Sequence, residues 1–415
     1  MAARVLYWGD SPTIGTGFGV VARHVLNALG AAGHRIDCLA INAVADFPDR
    51  DVAPYAIVPA GAPQDPFGYR ALLRILTERP YDLLFVQNDL HVAHAATGYL
   101  ESLRDRGVAL PPILYYYPVD CRVRPDLTGM LRLANEIVTC TAFGRSETGK
   151  VPGLRSPAVI PHGVDARVFR PLADRLRSRI SFRRAHGIPE TDMVVCSVGA
   201  NNPRKDLPRT IAAFARFRDA MGSPVVLYLH TIPATETGHD LTQAAAACGL
   251  IIGRDVVFPR DYHPIRGVSD QAMNEMYNAC DIYLTTTLGE GWGLPVTEAM
   301  ASGLPVVAPC HTSLREIAGD GRAILYECRD RIWVDNSGFR PVGHTDDIVA
   351  ALVQAARQTP GERQRMIDAA RDFAAGLDWT RVASWWVPIV EELVATARRP
   401  QLRSINVSAS NSGPG

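Results

Sequence analysis

The sequence predicts an α/β fold built from two similar, doubly wound domains that face each other across a cleft, followed by a C-terminal helix. Three observations carry this. Short apolar, β-rich runs alternate with amphipathic helical stretches along nearly the whole chain, the pattern of parallel sheets covered by helices. A length of 415 residues exceeds what one hydrophobic core usually organises. An Arg-rich, helical-looking stretch at 172–190, closed by Gly187 and Pro189, divides the alternation into two series.

The first series, expected over residues 1–172, opens with an apolar strand from Arg4 to Trp8. A Gly-rich turn follows, then a helix from Gly19 to Leu29 stopped by Gly30. Further strands are expected at Ile36–Asn42, Leu83–Gln87, Ile113–Tyr117, Glu136–Thr139 and Ala158–Ile160. The second series, expected over 190–378, places strands at Val194–Val198, Val225–His230, Val256–Pro259, Ile282–Thr286, Pro305–Ala308 and Ala323–Tyr326. Helices are expected at Arg209–Ala220, Val296–Ala301, Asp346–Thr359 and Gly361–Gly376. A single helix at 379–398 carries Trp379, Trp385 and Trp386, and the Ser/Asn/Gly-rich residues 400–415 read as a flexible tail. In open sheets of this kind ligands bind beyond the carboxyl ends of the strands, so the cleft between the domains is the expected site.

Composition narrows the function. The 43 basic and 43 acidic side chains cancel, which removes any general attraction to nucleic acid or anionic lipid. Only two of the basic residues are lysines, Lys150 and Lys205. A lysine that persists in so Arg-biased a chain marks a position to inspect. No apolar run reaches the length of a membrane span, and residues 1–20 carry no export-signal pattern. The eight cysteines are scattered without a Cys-x-x-Cys pair. They are expected to be reduced thiols in a cytoplasmic protein.

The most informative segment runs from Leu288 to Ala308 and follows a strand ending in Thr285, Thr286 and Thr287. Gly289, Gly291 and Gly293 let backbone approach a ligand closely. Pro295 suits the first turn of a helix whose N-terminus offers free N–H groups to an anion. Glu290 and Glu298, eight positions apart, add two carboxylates suited to accepting hydrogen bonds from sugar and ribose hydroxyls.

This segment closely resembles the nucleotide-sugar site of GT-B glycosyltransferases of the large retaining group called family 4 (glycosyl transferases group 1). Other blocks agree in order: Ile14 to Gly19 with the N-terminal Gly loop, Cys140 to Arg145 with a strand-then-helix block, Val159 to Asp165 with the stretch before the linker, and Ser197 to Asp206 with the opening of the second domain. The resemblance covers roughly residues 4–395. It implies two Rossmann-like domains with the last helix crossing back, and transfer of a hexosyl group from a nucleoside diphosphate sugar to a hydroxyl acceptor with retained anomeric configuration. It implies that Glu298 holds the ribose, that Glu290 contacts the donor sugar, and that the backbone of Gly291, Trp292, Gly293 and Leu294 lies against the sugar and distal phosphate. It implies that Arg204 and Lys205 neutralise the leaving diphosphate, where charge builds as the glycosidic bond breaks. Relatives usually separate that Arg and Lys by several residues; here they are adjacent.

The remaining candidates have two readings each. Gly17 and Gly19 lie in a loop that the resemblance brings over the donor. As a dinucleotide fingerprint the loop fails, because Val20 stands where a third Gly belongs. Asp120 ends a strand where relatives carry a His; it either binds donor sugar or acceptor, or caps a turn. Asn88, Asp89 and His91, at another strand end, are candidates for acceptor contacts or simply solvated loop residues. Arg260 and Tyr262 either flank the nucleotide base or form a surface loop. His162 either reaches the cleft or stabilises its own loop, and 312–316 is a further candidate wall.

No metal is expected. Asp49-Arg50-Asp51 matches a metal-binding Asp-x-Asp outside its usual fold context, and the pair His91 and His94, three apart, reads as one helix face rather than as ligands. The donor is a co-substrate rather than a cofactor. The acceptor is an open set: glycan, lipid, small molecule or modified nucleobase. Competing readings are a DNA-base glycosyltransferase using Arg122, Arg124, Arg183 and Arg184, a same-fold epimerase or phosphorylase, and a non-catalytic binding protein. Oligomeric state is not legible.

Overall fold

The structure, a computed structural model, describes residues 2–43, 54–334 and 338–399. Asp49 and Asp51, and the Ser/Asn/Gly-rich tail, lie outside the described residues.

The first sheet contains β1 (Arg4–Asp10), β2 (Arg35–Ile41), β3 (Ala56–Pro59), β4 (Leu83–Gln87), β5 (Ile113–Tyr116), β6 (Glu136–Thr139) and β7 (Ala158–Val159). Their order is β3-β2-β1-β4-β5-β6-β7, with every neighbouring pair parallel. The second sheet contains β8 (Met193–Val198), β9 (Val225–His230), β10 (Val256–Val257), β11 (Ile282–Leu284), β12 (Val306–Pro309) and β13 (Ile324–Tyr326), in the order β10-β9-β8-β11-β12-β13 and again parallel. Both sheets are doubly wound. The winding reverses between β1 and β4 in one and between β8 and β11 in the other, which is where ligands bind in such sheets.

Local sequence explains the elements that matter. β4 (Leu-Leu-Phe-Val-Gln) is buried at every position because helices cover both faces of its sheet. Helix Gly17–Ala31 starts where the Thr16 hydroxyl accepts the Gly19 N–H at 3.0 Å, and it buries Val21, Ala22, Val25, Leu26 and Leu29 along one stripe. Helix Leu294–Ala301 starts at Gly293, whose φ of 101° suits only glycine, with Pro295 in its first turn.

Three features depart from the sequence reading. β3 is a short edge strand with no fully buried residue, so it carries little apolar signal. A hairpin, β14 (Asp330–Val334) and β15 (Gly338–Val342), pairs antiparallel beyond the second sheet. The expected single helix at 379–398 is two helices, Trp379–Ser384 and Trp386–Arg398. Pro388 lacks the N–H that would continue the ladder back to Ser384.

The terminal segment lies on the first sheet's side. Trp386, 1% exposed, packs at 5.3 Å from Phe85 and 5.1 Å from Tyr116, and Trp379 stacks on His24 at 4.6 Å. An Arg398–Asp82 ion pair at 2.8 Å closes its end. The Arg-rich passage forms helix Arg175–His186, which buries Arg183 against Asp281 at 2.8 Å.

Candidate functional site

The loops after β8 and β11 meet beside the loop after β5. Pro203–Lys205 is a single 3-10 turn, entered through Asn202, whose side chain accepts the Lys205 N–H at 3.2 Å. The strand-end threonines fix this turn to the Gly loop: Thr286 donates to the Asp206 carbonyl at 2.9 Å, and the Leu288 N–H donates to the Arg204 carbonyl at 2.8 Å. From the other side Ser313 donates to the carbonyls of Glu290 at 2.8 Å and Trp292 at 3.0 Å, and Thr312 accepts the Glu290 N–H at 3.2 Å. Thr312 holds a φ of 48°, a strained conformation for a β-branched residue.

This scaffold assembles a charged cluster. Lys205 Nζ lies 2.6 Å from Glu290 Oε1, and Arg204 Nη1 lies 3.0 Å from Glu290 Oε2. Arg204 Nε also reaches Asp120 Oδ2 at 3.3 Å, and Asp120 Oδ1 accepts from Arg340 Nη2 at 3.0 Å. Burial alone would push the Glu290 carboxyl up, but Arg204 and Lys205 together hold it at about 2. Burial lowers Lys205 against the opposing pull of Glu290. Burial works the same way on Arg204, and there Glu290 and Asp120 prevail and hold it above its ordinary value.

Arg204, Lys205, Glu290 and Asp120 are therefore brought together. Both adjacent basic residues contact Glu290, and only Arg204 also bridges to the first sheet's side. Asp120 is ion-paired on both oxygens rather than capping a helix. Asp89, His91, Asp120, Arg204 and Arg340 line one cavity of about 690 Å³. Burial, then the nearby Asp120, pushes the Asp89 carboxyl up to about 6. Asn88 is buried and its Nδ2 has no hydrogen-bond partner among the described residues.

The two halves touch closely around the Gly loop. A Cβ on Gly289 would stand 2.0 Å from the Asp120 carbonyl oxygen, so only glycine permits this approach. The Cys140 thiol donates to the Gly291 carbonyl at 3.1 Å. Gly17 faces the Leu294 side chain, and the neighbouring Gly15 N–H donates to the Ile265 carbonyl at 2.9 Å. Gly19 lies one turn further on, inside its helix.

At the start of helix Leu294–Ala301 the Val296 and Thr297 N–H groups bond back to the Gly293 carbonyl at 2.9 and 3.2 Å and Pro295 has no N–H, which leaves the Leu294 N–H without an intrahelical acceptor. One turn on, Glu298 accepts the Tyr277 hydroxyl at 2.9 Å, and burial pushes its carboxyl up to about 7. The Trp292 side chain turns inward, 5.5 Å from the His162 ring, and leaves only its backbone to the loop surface. His162 is buried between Trp292 and Trp379, bonded to the Tyr116 hydroxyl, and burial lowers it to about 3. It is a neutral packing residue.

Arg260 is exposed, and Tyr262 packs edge-on to His230 at 4.8 Å, beyond the end of β9. The four arginines considered for nucleic acid do not form one patch: Arg183 is buried on Asp281 and Arg184 pairs with Glu190, while Arg122 and Arg124 sit at the cleft. Arg340 was not among the sequence candidates. Its signal lay in the alternation of the hairpin strands, where Ile332 and Arg340 are partners on one face.

Residues 178–372 match the family model Glycosyl transferases group 1. Curated relatives include MMP alpha-(1->4)-mannosyltransferase of Mycolicibacterium hassiacum, 28% identical over 240 residues (57% of this chain, 48% of that one). D-inositol 3-phosphate glycosyltransferase of Salinispora arenicola is 29% identical over 241 residues (57% and 50%). The chain spans about half the length of these relatives. Among solved structures, sucrose-phosphate synthase from Thermosynechococcus elongatus superposes with a TM-score of 0.73 at 17% identity, covering 95% of this chain and 99% of that one. Anabaena Alr3699/HepE in complex with UDP gives 0.66 at 17% identity, covering 94% and 100%. Among the described residues no helix is long and apolar enough to cross a membrane. The fold is GT-B, and within it residues 178–372 are similar to glycosyl transferases group 1.

Proposed function

We propose that the protein is a retaining glycosyltransferase that moves a hexosyl group from a nucleoside diphosphate sugar to a hydroxyl acceptor. The observation that carries this reading is the partly buried Arg204–Glu290–Lys205 cluster beside the N-terminus of helix Leu294–Ala301. Two cations and a helix N-terminus suit a diphosphate. Glu298, one turn into the helix, suits the ribose hydroxyls. The matched relatives, by their names a mannosyltransferase and an inositol-phosphate glycosyltransferase, and the neighbour solved with UDP support the same class.

In this reading the diphosphate displaces Glu290 from Arg204 and Lys205, and freed Glu290 turns to the sugar hydroxyls. As the glycosidic bond breaks, the bonding electrons pass to the phosphate oxygen, where Arg204, Lys205 and the helix N-terminus stabilise the charge. The acceptor hydroxyl attacks from the face of the leaving phosphate, and that phosphate takes its proton. Asp89, Asp120 and His91 line the acceptor approach. No metal is required, since the fixed cations supply the charge, and the protein works in the cytoplasm.

The test needs no known acceptor. Slow hydrolysis of a nucleotide sugar uses water as acceptor, and NMR reads the anomer first released. The proposal expects the donor's own anomeric configuration, with EDTA without effect. The opposite anomer would refute retention, and a rate abolished by EDTA would refute metal independence.

A further inference from the structure

The hairpin β14–β15 has two unlike faces, because side chains alternate along each strand. Ile332, Arg340 and Val342 point inward, with Arg340 and Val342 buried, and Arg340 holds Asp120. Arg331, Trp333, Phe339 and Pro341 form the other face and line a second cavity of about 1300 Å³. Trp333 and Phe339 are 63% and 62% exposed and meet edge to face at 5.3 Å. Two large exposed aromatics on one hairpin face are costly to leave in water and form a surface on which a sugar ring stacks.

The cavity is also basic. Arg122, Arg124 and Lys150 line it opposite the hairpin and Arg331 lines it from the hairpin, against one lining carboxylate, Glu147, which pairs with Lys150. Arg124 pairs with Asp126, and Arg122 and Arg331 have no acidic partner among the described residues. The cavity is thus locally positive in a chain of zero net charge. It also adjoins the charged cluster. Thr312, which holds the Glu290 N–H, lines it, and so does His311. His311 is 8% exposed, its Nδ1 lies 3.2 Å from Thr312 Oγ1, and its Nε2 has no partner among the described residues.

We propose that this cavity is an acceptor site for a saccharide bearing an anionic group, with a ring on Trp333–Phe339 and the anion held by Arg331 and Arg122. Naming the ligand an acceptor rests on the glycosyltransferase reading; its chemistry rests on the cavity. An aromatic, basic site also describes single-stranded nucleic acid. The saccharide is favoured because the net charge of the chain is zero, which gives a polyanion no general attraction.

Calorimetry on the full chain, without nucleotide, uses glucose 6-phosphate, glucuronate and neutral glucose, with a single-stranded oligonucleotide as competitor class. The first two distinguish phosphate from carboxylate as the anion. At least one should bind tenfold or more tighter than glucose. R331Q and W333A should each weaken it at least tenfold, and W333F should retain most of the affinity. All three substitutions are at exposed positions, and unchanged melting temperatures establish that each variant is folded. Binding no tighter than glucose, binding indifferent to R331Q and W333A, or tighter binding of the oligonucleotide overturns the proposal. Nucleotide-sugar binding, measured separately, fails only if the donor reading is wrong.

Discussion

Lys205 Nζ stands 2.6 Å from Glu290 Oε1, so the protein's own carboxylate neutralises this cation. The pair has side-chain exposures of 13% and 9%. In the proposed reading the cation is released when a diphosphate replaces the carboxylate.

Removing the cation tests its role. Lys205→Ala leaves Glu290 paired to Arg204, so the fold should survive. Loss of one preorganised charge at a developing anion costs roughly a hundredfold in rate. Donor hydrolysis in the variant should fall by well over a factor of ten, about the lower edge of that range. Unchanged turnover would remove Lys205 from the mechanism.

Removing the internal competitor gives the opposite sign for binding. Glu290→Gln leaves Lys205 without its carboxylate and Arg204 with Asp120 alone, so a nucleoside diphosphate should bind more tightly than in the parent while donor hydrolysis falls. Parallel losses of affinity and rate would show that Glu290 does not compete with the phosphate. Calorimetry and the hydrolysis assay together read this split.

Much of this arrangement was legible in the sequence, for identifiable reasons. The Gly loop, Glu290 and Glu298 stand out because they share one strand–loop–helix unit after β11, whereas Arg204 and Lys205, in the separate loop after β8, are tied to them by the family resemblance rather than by spacing. Asp120 was visible as a strand-end residue, but its role was not, since its partners Arg204 and Arg340 are 84 and 220 positions away. Arg340 escaped notice because its hairpin is short and lies outside the parallel alternation. The break at Trp385 was missed although Pro388 signals it, since the flanking Trp-rich pattern is helical on both sides.

Contact between the two halves should be sensitive at a single methyl group. Gly289→Ala places a Cβ 2.0 Å from the Asp120 carbonyl, and backbone on both sides cannot yield cheaply. Donor hydrolysis should drop at least about tenfold, as expected when a misplaced loop disturbs a preorganised site. Binding of the free nucleotide, which uses the second sheet's residues, should change little. A variant with parental turnover would contradict the tight approach.

Donor binding should depend on pH through Glu298. Burial pushes its carboxyl up to about 7, so at pH 6 the free protein is mostly protonated there. Ribose hydroxyls donate, so the ionised form binds them better, and binding must release a proton. Affinity should therefore rise from pH 6 to 8, by up to about tenfold per unit below the carboxyl's midpoint. A nucleotide sugar is the right probe, because its doubly esterified diphosphate does not titrate in this range. Glu298→Gln should bind more weakly and lose the slope; a slope that persists in the variant would assign it to another group.

The central claim is that the Gly loop, Glu298 and the Arg204–Lys205 pair form a nucleotide-sugar donor site. Thermal shift with a panel of UDP-, GDP- and ADP-sugars tests it most directly, on the parent and on Glu298→Ala. The account predicts a specific rise in melting temperature with at least one of the donors and its loss in the variant. No shift with any donor, or an equal shift in Glu298→Ala, would contradict it.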